Sequence, residues 1–117
     1  MQDRSYTVCR FMIRIDYELV VSSGIYAPEK IENMITGIFQ GYDGIWTEVT
    51  SGRRIIVNCR EVSWYHQTYK CMFELYRKPW FREYVKEILY YHSNDLYEHP
   101  KTYEPEDFLR IISGYDI

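Results

Sequence analysis

Cysteine is scarce and scattered in this chain: Cys9, Cys59 and Cys71 are its three, with no closely spaced pair. An odd, sparse set excludes the disulfide framework of a small secreted scaffold and fits a reducing compartment. Long apolar runs are missing as well. Nothing approaches the roughly 18 residues of a membrane span, and residues 1–10 lack a signal-peptide core. The expectation is a cytoplasmic protein with no membrane partner.

Catalytic and ligand spacings are absent too. There is no H-E-x-x-H and no glycine-rich phosphate loop. Cys59, His66 and Cys71 fall on what read as neighbouring strands, yet they lack the close cysteine pair and the fourth ligand of structural zinc. His92, Asp95, Glu98 and His99 gather near an expected helix end without a ligand spacing. Nucleophilic catalysis needs a Cys or Ser beside a His and an orienting acid, a list that any chain with three Cys and three His contains. The expectation is no enzyme, no metal and no cofactor.

Charge of one sign is also in short supply. The net charge is −3, whereas a protein that neutralises duplex phosphates is ordinarily basic. Nucleic acid therefore ranks below protein as the expected partner. The placement of charge is less even than its sum. Residues 1–60 carry seven basic and seven acidic side chains, residues 61–117 seven and ten. The acidic excess lies after His92, in Asp95, Glu98, Glu104, Glu106, Asp107 and Asp116 against Lys101 and Arg110.

What the chain has in plenty is aromatic rings: thirteen Tyr, three Trp and five Phe among 117 residues. That length allows one domain. Its 46% hydrophobic content can fill a core and argues against disorder. A core this small does not readily hold twenty-one rings, so some aromatics are expected at the surface, where Tyr and Trp suit contact with a partner.

Taken in order, the chain opens with strict alternation: Cys9, Phe11, Ile13 and Ile15 face one way, Arg10, Met12 and Arg14 the other, as in a strand with one buried face. Leu19, Val20 and Val21 read as its continuation or as a hairpin return, ended by the turn residues Ser22, Ser23 and Gly24. Pro28 opens an amphipathic helix with Ile31, Met34, Ile35, Ile38 and Phe39 along one stripe and Gly41 as its cap. Gly37 inside it suggests close packing. A hairpin comes next over residues 45–58, turning at Ser51-Gly52, where Gly52 can supply a positive φ. A second hairpin is expected from residues 62–66 and 71–76, across 67–70. Pro79 then opens a helix reaching about His92, with Trp80, Phe81, Tyr84, Val85, Ile88, Leu89 and Tyr91 on its apolar side and Tyr90 among the charges. A polar loop precedes a last short helix with Phe108, Leu109 and Ile112 inward and Gly114 after it. The predicted architecture is a single α+β domain over residues 1–117: an antiparallel meander of about four or five strands, one helix after the first strand or strands, and two C-terminal helices.

Three constellations bear on function. The face of the first strand with Arg10 and Arg14 joins Trp46, Glu48, Arg54, Asn58 and Arg60 of the hairpin, and Arg with Trp on a sheet suits single-stranded nucleic acid. The C-terminal helices are the expected cover of that face. Arg77, Lys78, Arg82 and Lys86 surround the start of the Pro79 helix, where cations oppose the helix dipole and can hold an anion. Tyr90, Tyr97, Glu98, Tyr103 and Glu104 form a tyrosine-and-acid surface fit for a protein partner. Small aromatic chains without catalytic spacing occur among phage-encoded inhibitors, anti-CRISPR proteins included, and among immunity proteins. By that analogy of type, the leading expectation is a non-enzymatic module that binds and inhibits or modulates another macromolecule, a protein first of all, and the alternative is a single-stranded nucleic-acid binder. An uncovered edge strand would also permit a homodimer.

Overall fold

The computed structural model describes residues 9–60, 64–92 and 106–114. The opening alternation becomes β1 (Cys9–Ile15), with Cys9, Phe11, Ile13 and Ile15 buried and Arg10, Met12 and Arg14 half-buried on the other side. Asp16 ends the strand and caps a helix. Its side chain accepts a bond from the Leu19 amide at 3.1 Å, which starts α1 (Tyr17–Ser23), and Gly24 closes that helix in the left-handed region at φ 69°. The strand or hairpin return expected at residues 19–21 is therefore a helix. Caps at both ends of the segment outweigh a short apolar run that has no periodicity of its own.

The second helix, α2 (Pro28–Ile38), keeps to its stripe, with Ile31 and Ile35 buried and Met34 and Ile38 packed on the core. Gly37 faces open space, so close packing does not account for it. Gly41, past the helix end, takes φ 92° as the chain turns away. The hairpin of β2 (Ile45–Val49) and β3 (Ile55–Cys59) forms as expected, but its turn differs. The Arg53 amide bonds the Thr50 carbonyl at 2.8 Å, and Arg53, not Gly52, holds the positive φ, at 59°. Three loop residues place the left-handed position one residue later than a two-residue turn would.

The expected second hairpin is instead one helix, α3 (Tyr65–Tyr76). Thr68, Cys71, Met72 and Leu75, at i, i+3, i+4 and i+7, are its buried stripe. The stripe was present in the sequence, but Tyr, Thr, Phe and Cys favour strands locally and mask it. The expected Pro79 helix is cut short: α4 (Pro79–Tyr84) ends after six residues, and Val85 turns extended to begin β4 (Val85–His92). A bulge between Arg14 and Ile15 accompanies that junction, and β4 pairs with β1 from Val85 to His92. The two-residue β5 (Glu106–Asp107) leads into α5 (Phe108–Ser113), where the Asp107 side chain caps the Arg110 amide and Phe108 and Ile112 point inward.

The five described strands form one open antiparallel sheet in the order β2-β3-β1-β4-β5. The order is not a simple meander, because β1 sits in the middle and takes both of its neighbours, β3 and β4, from later in the chain. One core gathers the inward residues of the strands with Val20, Ile31, Ile35, Met72, Leu75, Phe81, Tyr84, Phe108 and Ile112, contributed by all five described helices. Those helices therefore lie on a single face. Fully burying a side chain of this kind stabilises by about 1.5–3 kcal/mol, which makes this face the mechanical base of the fold.

Candidate functional site

With the helices on one side, the register decides what the other side presents. Residues directly opposite in an antiparallel pair share a face. Trp46, Asn58, Arg10 and Tyr91 thus form one row across β2, β3, β1 and β4. Glu48, Ile56, Met12 and Leu89 form the next, and Arg14 opposite Glu87 the third. Met12, Trp46, Ile56, Leu89 and Tyr91 are absent from the core. The expected cover by the C-terminal helices does not hold among the described residues, because α4 and α5 send Phe81, Tyr84, Phe108 and Ile112 into the core on the opposite face.

Four arginines occupy this open face in different ways. Arg10 donates from Nε to Asn58 Oδ1 at 2.8 Å, which satisfies a buried amide oxygen. Arg60, two residues beyond Asn58 and expected on this side, places its guanidinium 5.0 Å from the centre of the Trp46 ring. Arg54 reaches Met12 Sδ at 3.8 Å and is otherwise exposed. Arg14 pairs with Glu87 at 3.3 Å, with both side chains more than a third exposed, so the pair is weak and open to exchange. Of the sequence-predicted cations, the structure brings Arg10, Arg14 and Arg54 together with Trp46. Tyr91 is the ring that sequence reasoning missed, since it was expected on the apolar side of a helix. Its signal lay in the period of two from Ile88 to Tyr91, in which Ile88 and Tyr90 are buried and Leu89 and Tyr91 are not.

Two of the four cations in the other basic cluster bond backbone carbonyls of the chain. Arg77 is exposed at the end of α3, and Lys78 is half-buried at the start of α4. Arg82 donates from Nη1 to the Tyr76 carbonyl at 2.6 Å, satisfying an orphan acceptor at the C-terminus of α3. Lys86 donates to the Glu83 carbonyl at 2.8 Å. Arg82 thus complements the end of α3 and Lys86 the end of α4.

Of the expected protein-binding residues, Tyr97, Glu98, Tyr103 and Glu104 lie outside the described residues, as do Asp95, Glu98 and His99 of the other cluster. Tyr90 is not a surface residue: it is 3% exposed on β4, stacked on Phe11 with centroids 4.7 Å apart. Its hydroxyl bonds that of Tyr65, which in turn lies 3.2 Å from that of Tyr69. Burial, then the bonds with Tyr65 and Tyr69, push the Tyr90 phenol far above its ordinary range, and Tyr69 is raised first by burial. Beside this group, a cleft of about 370 Å³ runs between α3 and α5, lined by His66, Tyr69, Lys70, Phe73 and Ile111. Tyr69 and Tyr90, which line it, each have a hydroxyl bonded to that of Tyr65.

The thiols also face inward. Cys9 and Cys59 lie opposite on β1 and β3, and their mutual hydrogen bond followed by burial raises the Cys9 thiol well beyond its usual range. Cys71 sits on α3, raised first by burial, while His66 is exposed. No three His, Cys, Asp or Glu side chains converge among the described residues, and no helix among them is long and apolar enough to cross a membrane. No family model, curated protein or solved structure matches this chain.

Proposed function

We propose that this chain is a small binding module without chemistry of its own, which works through the open face of its sheet and takes single-stranded nucleic acid there. One observation carries the reading: Arg10, Arg14, Arg54 and Arg60 share that face with Trp46 and Tyr91 in a chain of net charge −3. Against them stand Glu48 and Glu87, with Asp107 turned to cap α5. Cations gathered against the overall sign complement a polyanion, and the half-buried rings of Trp46 and Tyr91 offer bases a stacking surface. The tyrosine-and-acid surface that favoured a protein partner retains no described exposed residue, since Tyr90 is in the core.

Fluorescence anisotropy with labelled oligothymidylate and oligouridylate tests the reading. Affinity should fall as salt rises, with a log–log slope of about −2 to −3 if the four arginines meet phosphates, at ~0.7 per contact. Arg54→Ala should weaken binding, while Arg82→Ala and Lys86→Ala, whose side chains serve backbone carbonyls, leave it within about two-fold. No binding at low salt, or salt-independent binding, overturns the proposal. So does an acidic protein segment that binds the face and is not displaced by oligonucleotide.

A further inference from the structure

We infer that the bound strand is a short run of about four nucleotides lying along one row of the sheet, its bases stacked on Trp46 at one end and Tyr91 at the other; this rests on the nucleic-acid reading above. Trp46, Asn58, Arg10 and Tyr91 stand directly opposite one another on four consecutive strands. Neighbouring strands lie about 4.8 Å apart, which puts the backbone positions that carry the two rings about 14 Å from each other. Stacked nucleotides advance about 3.4 Å each, so about four of them fill that distance.

The row sets a ring at each end with a buried amide and one guanidinium between them. The Arg60 guanidinium lies over one face of Trp46 and leaves the other for a base, and the half-buried Tyr91 side chain has no hydrogen-bond or ring partner among the described residues. Arg60 over the indole puts a cation across the ring from the first stacked base. Arg10, between the platforms, commits Nε to Asn58 and keeps its other N–H donors for a phosphate. The row below, Ile56, Met12 and Leu89, is apolar and offers sugars and base faces a floor without reading base edges. Asn58 is buried with Oδ1 already bonded. The binding is accordingly tolerant of sequence, because every base has a face to stack and the row presents few groups for its edges.

A length series of oligothymidylates and oligouridylates, read by anisotropy and tryptophan emission, tests this. Affinity should climb steeply to about four nucleotides and then rise only with the number of equivalent registers. Binding should quench tryptophan emission, and Trp46→Phe should abolish the quench while keeping most of the affinity. Trp46→Ala and Tyr91→Ala should each lower affinity about ten-fold. Neither ring is in the core, so both variants should stay folded, which thermal unfolding checks alongside. If oligonucleotides bind but affinity climbs evenly with length and both Ala variants stay within about two-fold of the parent, the charges act without the rings. That outcome overturns this inference and leaves the nucleic-acid reading standing. If no oligonucleotide binds at low salt, both are overturned.

Discussion

Arg10 and Asn58 meet across β1 and β3, the guanidinium Nε donating to the amide Oδ1 at 2.8 Å, and this one bond ties the open face to the stability of the sheet. Asn58 is 2% exposed, so its oxygen depends on Arg10. Arg10→Ala should destabilise by about 1–3 kcal/mol, the cost of stranding a buried acceptor. In urea unfolding, Arg10→Ala and Asn58→Ala together should cost less than their separate sum, whereas Arg54→Ala should leave stability near that of the parent. Additive single and double variants would mean the bond does not couple the two residues. The contrast makes Arg54 the cleaner probe of binding.

Gly44 is fixed by space rather than by backbone conformation. A Cβ at this position would overlap the indole of Trp64, and the Gly44 carbonyl accepts a bond from the Arg60 amide at 2.8 Å, so neither partner moves freely. Gly44→Ala should therefore destabilise by about 1–3 kcal/mol or more, the range for overpacking a filled site. Thermal unfolding checks it. Gly37→Ala, with nothing near its Cβ and a helical backbone, should be neutral or stabilising.

Arg53 holds a left-handed backbone at φ 59° that glycine would adopt without strain. Its side chain explains why an arginine stands there. Nε meets Glu32 Oε2 at 3.0 Å, Nη2 lies 3.6 Å from Glu29, and the guanidinium covers the Tyr17 ring at 4.3 Å. The Tyr17 hydroxyl lies 2.6 Å from Glu32 Oε2 and 2.7 Å from the Arg53 carbonyl, and its one proton serves either. Arg53→Ala loses the cluster and keeps the strain; Arg53→Gly loses the cluster and relieves it. Gly should accordingly melt a few degrees above Ala. Equal melting temperatures would show that the turn carries no strain.

The buried phenols set an alkaline limit. Tyr90 and Tyr69 are raised above their ordinary value near 10, both chiefly by burial, and Tyr17 likewise by burial and then by Glu32. Above about pH 10 the unfolded chain has released these protons and the native state has not, so the native state binds more protons and stability falls as pH rises. Below that pH the contribution is complete. Urea midpoints should hold from neutral pH to about 9 and decline beyond 10, and Tyr90→Phe with Tyr69→Phe should flatten the decline. An unchanged slope in the double variant would place the alkaline loss elsewhere.

The sequence by itself determined those elements whose periodicity has one reading. The alternation from Cys9 to Ile15 allows only a strand with Arg10 and Arg14 on one side, and Ile31, Ile35 and Phe39 allow only a helix stripe. The hairpin through Ser51-Gly52 and the final Phe108–Ile112 turn were legible for the same reason, although Arg53 took the positive φ assigned to Gly52. Alternation also put Arg10 and Arg14 on one side of their strand, but only the register of β1 with β3 and of β3 with β2 put Trp46 on that same face. Tertiary structure decided the rest. Residues 85–92 are apolar at both periods, and they became a strand because β1 offers a full row of backbone groups there while α4 has already ended at Tyr84. Tyr90 was thereby moved from a helix surface into the core. Whether the arginine face would be covered also lay beyond local pattern: it depended on the five described helices finding one apolar core on the same side of the sheet, a choice made by long-range packing.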